Sequence, residues 1–79
     1  MNAAADLDVI EQWVVYDRPA DYPTGFIARR WEITRGYVHW TADSIKGDTL
    51  QAVRRKLPRG LVKLTRAPED DPRIVEAWT

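Results

Sequence analysis

Cysteine is missing from this 79-residue chain. That rules out disulfides, thiolate zinc sites and cysteine nucleophiles, and it fits a reducing, cytoplasmic setting. Histidine occurs once, at His39. One imidazole and a few scattered carboxylates are too few to suggest a transition-metal site, so no metal or other cofactor is expected. There are only four glycines and no glycine-rich phosphate loop. No apolar run approaches the roughly 18–20 residues of a membrane span. The N-terminus also lacks a basic segment leading into an apolar block, so neither a secretory signal nor a membrane partner is expected. Net charge is absent too: twelve bases balance twelve acids.

What the chain does have is apolar and aromatic mass. Hydrophobic residues make up 44 %, with four tryptophans, three tyrosines and one phenylalanine. At roughly 150–250 Å² of buried surface per ring, one core can form without staples. The expectation is a flexible tail over residues 1–8 and a single compact domain over 9–79.

Val9 to Asp17 is β-branched and aromatic, and reads as a strand. Period two puts Val9, Glu11, Trp13 and Val15 on one face and Ile10, Gln12, Val14 and Tyr16 on the other. Arg18 to Gly25 holds two prolines and a glycine, and reads as a loop packed by its own side chains, Tyr22 above all. Phe26 to Thr34 is a second strand, with Ile27, Arg29, Trp31 and Ile33 on one face and Phe26, Ala28, Arg30 and Glu32 on the other. Arg35-Gly36 predicts a two-residue turn with Gly36 at positive φ, and Tyr37 to Thr41 a returning strand.

Residues 42–47 are expected to lead into the one helix, over about ten residues between Gly47 and Gly60. Asp48 is the expected N-cap and Gln51 completes a capping box; Ser44 is a weaker alternative. Leu50, Val53 and Leu57 form the apolar stripe. Arg54, Arg55 and Lys56 suit the negative end of the helix dipole. Pro58 and Gly60 end the helix. Leu61 to Arg66 and Arg73 to Trp78 are two further strands around the acidic turn 67–72. The expected architecture is α+β: an antiparallel sheet of four to five strands, order β-β-β-α-β-β, with one helix on one face.

Charge is unevenly spread. Residues 1–28 hold five acids and one base, residues 29–66 ten bases and three acids, and residues 67–79 four acids and one base. The middle segment, with Trp31, Tyr37 and Trp40 for stacking on bases, makes nucleic acid a possible partner, though not the favoured one. A pI near 6.6 is far from domains that bind by charge alone, and Arg29 and Arg30 point to opposite faces.

The favoured reading comes from geometry. A ten-residue helix spans roughly 15 Å and cannot cover both faces of a five-strand sheet, yet several strands are apolar on both faces. Either the loop around Tyr22 folds over the far face or that face is a contact surface. The expected function is a small non-enzymatic protein-interaction module that binds a partner or a second copy of itself. Tyr22, Arg29, Trp31 and Trp40 are its candidate contact residues, of the types enriched at binding hot spots. No residue is put forward as catalytic: His39 has no partner to orient it, and Asp17 and Asp21 read as turn formers and salt-bridge partners for Arg18 or Arg29.

The run Trp13-Val14-Val15-Tyr16-Asp17-Arg18-Pro19-Ala20-Asp21-Tyr22-Pro23, with Phe26-Ile27-Ala28-Arg29 and Trp31, resembles a group of small bacterial proteins of unknown function. That group carries W-V-[IV]-Y, then P-x-D-[FY]-P, then F-[IV]-A-R. Leu57-Pro58-Arg59-Gly60-Leu61 and Asp70-Asp71-Pro72 are similar to it as well. The resemblance covers most of the chain after the tail and implies no activity, cofactor or catalytic residue.

Overall fold

Strand pairing begins where the β-branched residues are densest. In the computed structural model, which describes residues 9–65 and 71–79, β1 (Ile10–Asp17) lies at the centre of a five-stranded sheet. It pairs antiparallel with β2 (Phe26–Thr34) on one side and with β5 (Ile74–Trp78) on the other. β3 (Tyr37–Gly47) pairs with β2, and the two-residue β4 (Lys63–Leu64) with β5. The order across the sheet is β3-β2-β1-β5-β4. One helix, α1 (Leu50–Lys56), packs against β2 and β3. The α+β architecture with one helix on an antiparallel sheet is therefore as expected. The expected tail over residues 1–8 and most of the acidic turn lie outside the described residues.

The core sits between α1 and one face of the sheet. Trp13, Val15, Ala28 and Val53 are buried there, with Phe26, Ile45, Leu50, Leu57, Leu61 and Trp78 packed around them. The register explains the set: Trp13 faces Arg30 and Trp78, and Val15 faces Ala28 and Glu76, so alternate residues of three strands share this side.

Three local expectations are corrected. Residues 42–47 are not a lead-in to the helix but the second half of β3. Their ladder with β2 runs from Arg29↔Ser44 to Phe26↔Gly47, after an irregularity between Arg29 and Trp31. That ladder keeps the backbone extended through Gly47 and delays the helix. The N-cap is Thr49, not Asp48 or Ser44: its backbone is extended and its Oγ1 accepts from the Ala52 N–H at 3.1 Å. The helix is accordingly seven residues long rather than about ten. Of the strand expected over 61–66, the described residues form only Lys63–Leu64, extended by reciprocal backbone bonds between Val62 and Thr79 of 2.7 and 2.9 Å.

The turns follow the sequence closely. Gly36 has φ 81° and Gly60 φ 88°, which L side chains rarely adopt. Leu57 is extended, at φ −65° and ψ 149°, as a residue before proline must be.

Candidate interaction surface

The two faces of the sheet are finished differently. On the helix side, the area α1 leaves uncovered is closed by charge. Arg30 Nε donates to Glu11 at 3.0 Å, Arg30 Nη2 to Glu32 at 2.9 Å, and Arg30 Nη1 reaches Asp43 at 3.4 Å. Trp13 Nε1 donates to Glu11 at 2.7 Å. The Trp13 and Arg30 hydrogen bonds together hold the Glu11 carboxyl below the usual glutamate range.

The far face has no such finish. Register places Ile10 beside Ile33, Gln12 beside Trp31, Val14 beside Arg29 and Ala77, and Tyr16 beside Ile27. It also places Trp31 beside Trp40, Ile33 beside Val38, and Leu64 beside Ala77. Among the described residues no helix crosses this side. Ile10 is 52 % exposed, Val38 64 % and Trp40 75 %. A shallow hollow of about 200 Å³ is lined by Gln12, Val14, Tyr16, Trp31, Val38 and Ile74.

The loop 18–25 covers only one end of this face. It is closed by Arg18 N–H to the Gly25 carbonyl at 2.9 Å and by Tyr22 N–H to Pro19 at 2.9 Å. Lys46 Nζ lies 5.2 Å from the Tyr22 ring centre. Asp21 accepts from Arg29, whose guanidinium lies 5.7 Å from the Tyr16 ring centre. Ile27 is thereby buried to 4 % exposure. The polar groups of this loop, with Asp71 and Arg73, rim the apolar part: Pro19, Asp21, Arg29, Asp71 and Arg73 share a neighbouring hollow with Tyr16 and Trp31. An apolar patch with a polar rim is the usual form of a contact surface.

All four sequence-predicted contact residues come to this face or its rim. Trp40 is its most exposed ring and Trp31 is half-buried beside it. Trp31 Nε1 is buried without a hydrogen-bond partner of normal geometry, although the Tyr16 hydroxyl is near enough to interact. Arg29 and Tyr22 form the rim. Burial of the Tyr16 phenol pushes its pKa up, and the Arg29 charge offsets part of that. The four tryptophans thus divide by face, Trp13 and Trp78 in the core and Trp31 and Trp40 outside it.

His39 lies on the helix-side face near the hairpin tip, exposed and stacked on Tyr37 at 5.8 Å between ring centres, with Thr34 Oγ1 3.5 Å from Nε2. Asp17 and Asp21 pair with Arg18 and Arg29, as their spacing suggested. Among the described residues no group of three or more histidine, aspartate or glutamate side chains is placed to hold a metal. No described helix is long and apolar enough to cross a membrane.

Sequence reasoning missed one feature. Arg54 is expected only to suit the negative end of the helix dipole, but its guanidinium grips Glu76, which is 1 % exposed. The signal was available, since Arg54 lies four residues after Leu50 and so shares the buried side of the helix.

No protein-family model, curated protein or solved structure matches this chain.

Proposed function

We propose that this chain is a small, non-enzymatic protein-interaction module that docks a protein partner on the sheet face away from α1. The observation that carries the reading is the contrast between the faces. The helix side is closed by a helix and an ion-pair cluster, whereas the far side presents Ile10, Val38 and Trp40 to solvent around an apolar hollow. Leaving such groups in water costs about 25 cal/mol per Å² of apolar surface, which docking recovers. In a chain without thiols, a cytoplasmic role fits.

Nucleic acid is the second reading, supported by the exposed Trp40 beside Lys46 in a shared hollow. It is weakened by the basic residues themselves. Arg29, Arg30 and Arg54 are each committed to a carboxylate, and they divide between the two sides of the sheet.

The test is site-specific photocrosslinking in the native host, with a benzophenone amino acid replacing Trp40. The same residue at Gln51, exposed on the helix, is the control. Discrete protein adducts from position 40 and none from 51 support the module. Nuclease-sensitive adducts favour the second reading, and the absence of any position-specific adduct overturns both.

A further inference from the structure

Two strand edges are present among the described residues, and they are built differently. β4 is two residues long and carries Lys63, a blunted edge of the kind that resists pairing. β3 is eleven residues long. Its first half, Tyr37-Val38-His39-Trp40-Thr41, holds no lysine, proline, glycine or acid. Val38 and Trp40, on the far face, are exposed there, as is Tyr37 on the other. Resting on the docking reading above, we infer that the partner is a second copy of this chain, joined through an antiparallel β3–β3 pair related by a two-fold axis at His39.

The register is argued from the hairpin. Thr34 and Tyr37 flank a two-residue turn, so they exchange both backbone bonds of the β2–β3 ladder. Alternation makes His39 and Glu32 the next bonded pair and turns the N–H and C=O groups of Val38 and Trp40 away from β2. A two-fold axis at His39 sets Val38 of one copy opposite Trp40 of the other, twice, and each pair exchanges two bonds. On the far face Trp40 then lies against the second copy's Val38, and the two apolar hollows become continuous. Only an axis at this residue matches outward-facing backbone groups of one copy with those of the other in both pairs. Shifting the axis to Val38 sets Trp40 against Gly36 in the turn, and shifting it to Trp40 sets Val38 against Ala42 in the irregularity of β3. The irregularity of β3 over residues 41–43, and Lys46 after it, limit pairing to the first half of the strand.

The area suits a modest dimer. Trp40 at 75 % and Tyr37 at 67 % exposure hold about 300 Å² of ring surface per copy. Val38 and the strand edge add to this but stay below the roughly 800 Å² per partner of standard interfaces. The dimer is therefore expected to dissociate in the micromolar range.

Sedimentation equilibrium of the full chain from about 1 μM to 1 mM tests this, since that range brackets such weak interfaces. The expected result is a shift from 9.1 kDa towards twice that mass. Val38→Pro removes an outward N–H but no β2–β3 bond, and keeps the far face apolar. It should weaken the dimer about tenfold or more, because two interchain bonds are lost. Val38→Thr, which keeps the N–H, should still dimerise, and circular dichroism confirms that both variants fold. A dimer indifferent to Val38→Pro but abolished by Val14→Lys means copies stack face to face, which overturns edge pairing and leaves the docking reading standing. A monomer at every concentration overturns the second copy, while the Trp40 crosslink still decides whether a different protein docks.

Discussion

Replacing Arg54 with methionine should destabilise the fold far more than its place at a helix end suggests. Glu76 is 1 % exposed in the core. It accepts from Arg54 Nε at 3.0 and 3.2 Å, from the Arg54 Nη2 group, and from Trp78 Nε1 at 2.5 Å. Methionine keeps the helix propensity and most of the stem's packing, but leaves a buried carboxylate with one donor. Breaking a buried pair in this way typically costs 3–5 kcal/mol. The Arg54 side chain is 34 % exposed, so water screens part of the interaction and about 2–3 kcal/mol is the expected loss. A chain of this size is worth about 4–12 kcal/mol in total. At about 4–8 °C per kcal/mol, the midpoint should fall by about 10–20 °C.

The pH dependence separates this cause from lost packing. In the native protein burial pushes the Glu76 carboxyl up, but the bonds from Arg54 and Trp78 outweigh it, and the pKa lies below the ordinary glutamate value. A lowered carboxyl stabilises the fold above its unfolded pKa, and that contribution is lost as pH falls through the folded one. In Arg54→Met burial prevails and the carboxyl is raised. The sign reverses: its stability is present below the unfolded pKa and lost as pH rises through the folded value. The gap between the two proteins should thus be widest at neutral pH and narrow on acidification towards about pH 4. Thermal melts followed by circular dichroism at both pH values measure it, and Glu76→Gln in the Arg54→Met background should recover part of the loss at neutral pH. A variant melting within about 3 °C of the native protein at neutral pH, less than 1 kcal/mol, refutes the argument. A gap that is constant with pH refutes its electrostatic part.

Thr49→Ala should cost about 1 kcal/mol by removing the helix cap, while Asp48→Ala stays within about 0.5 kcal/mol; urea unfolding of both distinguishes them. Gly25→Ala should cost about 1–3 kcal/mol, because its Cβ would stand 2.6 Å from the Gly47 carbonyl oxygen, a backbone atom fixed by the β2–β3 ladder; its chemical-denaturation midpoint measures the loss. Trp40→Ala should leave monomer stability within about 0.5 kcal/mol, since the ring is 75 % exposed, yet reduce association in the sedimentation experiment.

Where the sequence was legible, one local signal dominated. Gly36 in a two-residue turn and the alternation of β1 and β2 were readable because each depends on residues within a few positions. The N-cap was misplaced because Asp48 and Thr49 are both competent caps, and the choice between them is made by a contact 21 residues back. Phe26 pairs with Gly47 and holds the chain extended up to it. The second half of β3 was missed for a related reason. Ser44-Ile45-Lys46 does alternate, with Ile45 turned to the core, but three residues after an irregularity are too short a pattern to outweigh a helix expected next door.

The candidate surface was legible in another way, through a shortage. One helix cannot roof two faces, and that argument needs only the number of elements and the periodicity of the strands. It did not assign individual rings, since Trp13 and Trp31 sit in similar β-branched and aromatic surroundings. Their fates are decided by parity against a neighbouring strand. Trp13 stands opposite Arg30, on the side the helix occupies, while Trp31 stands opposite Gln12, on the side it does not. A shift of one residue in the β1–β2 register would put both tryptophans on the same side of the sheet and Glu11 and Arg30 on opposite sides. The ion-pair cluster around Arg30 therefore stabilises a register as well as covering a surface, and in fixing that register it commits Trp31 and its neighbour Trp40 to the face left open.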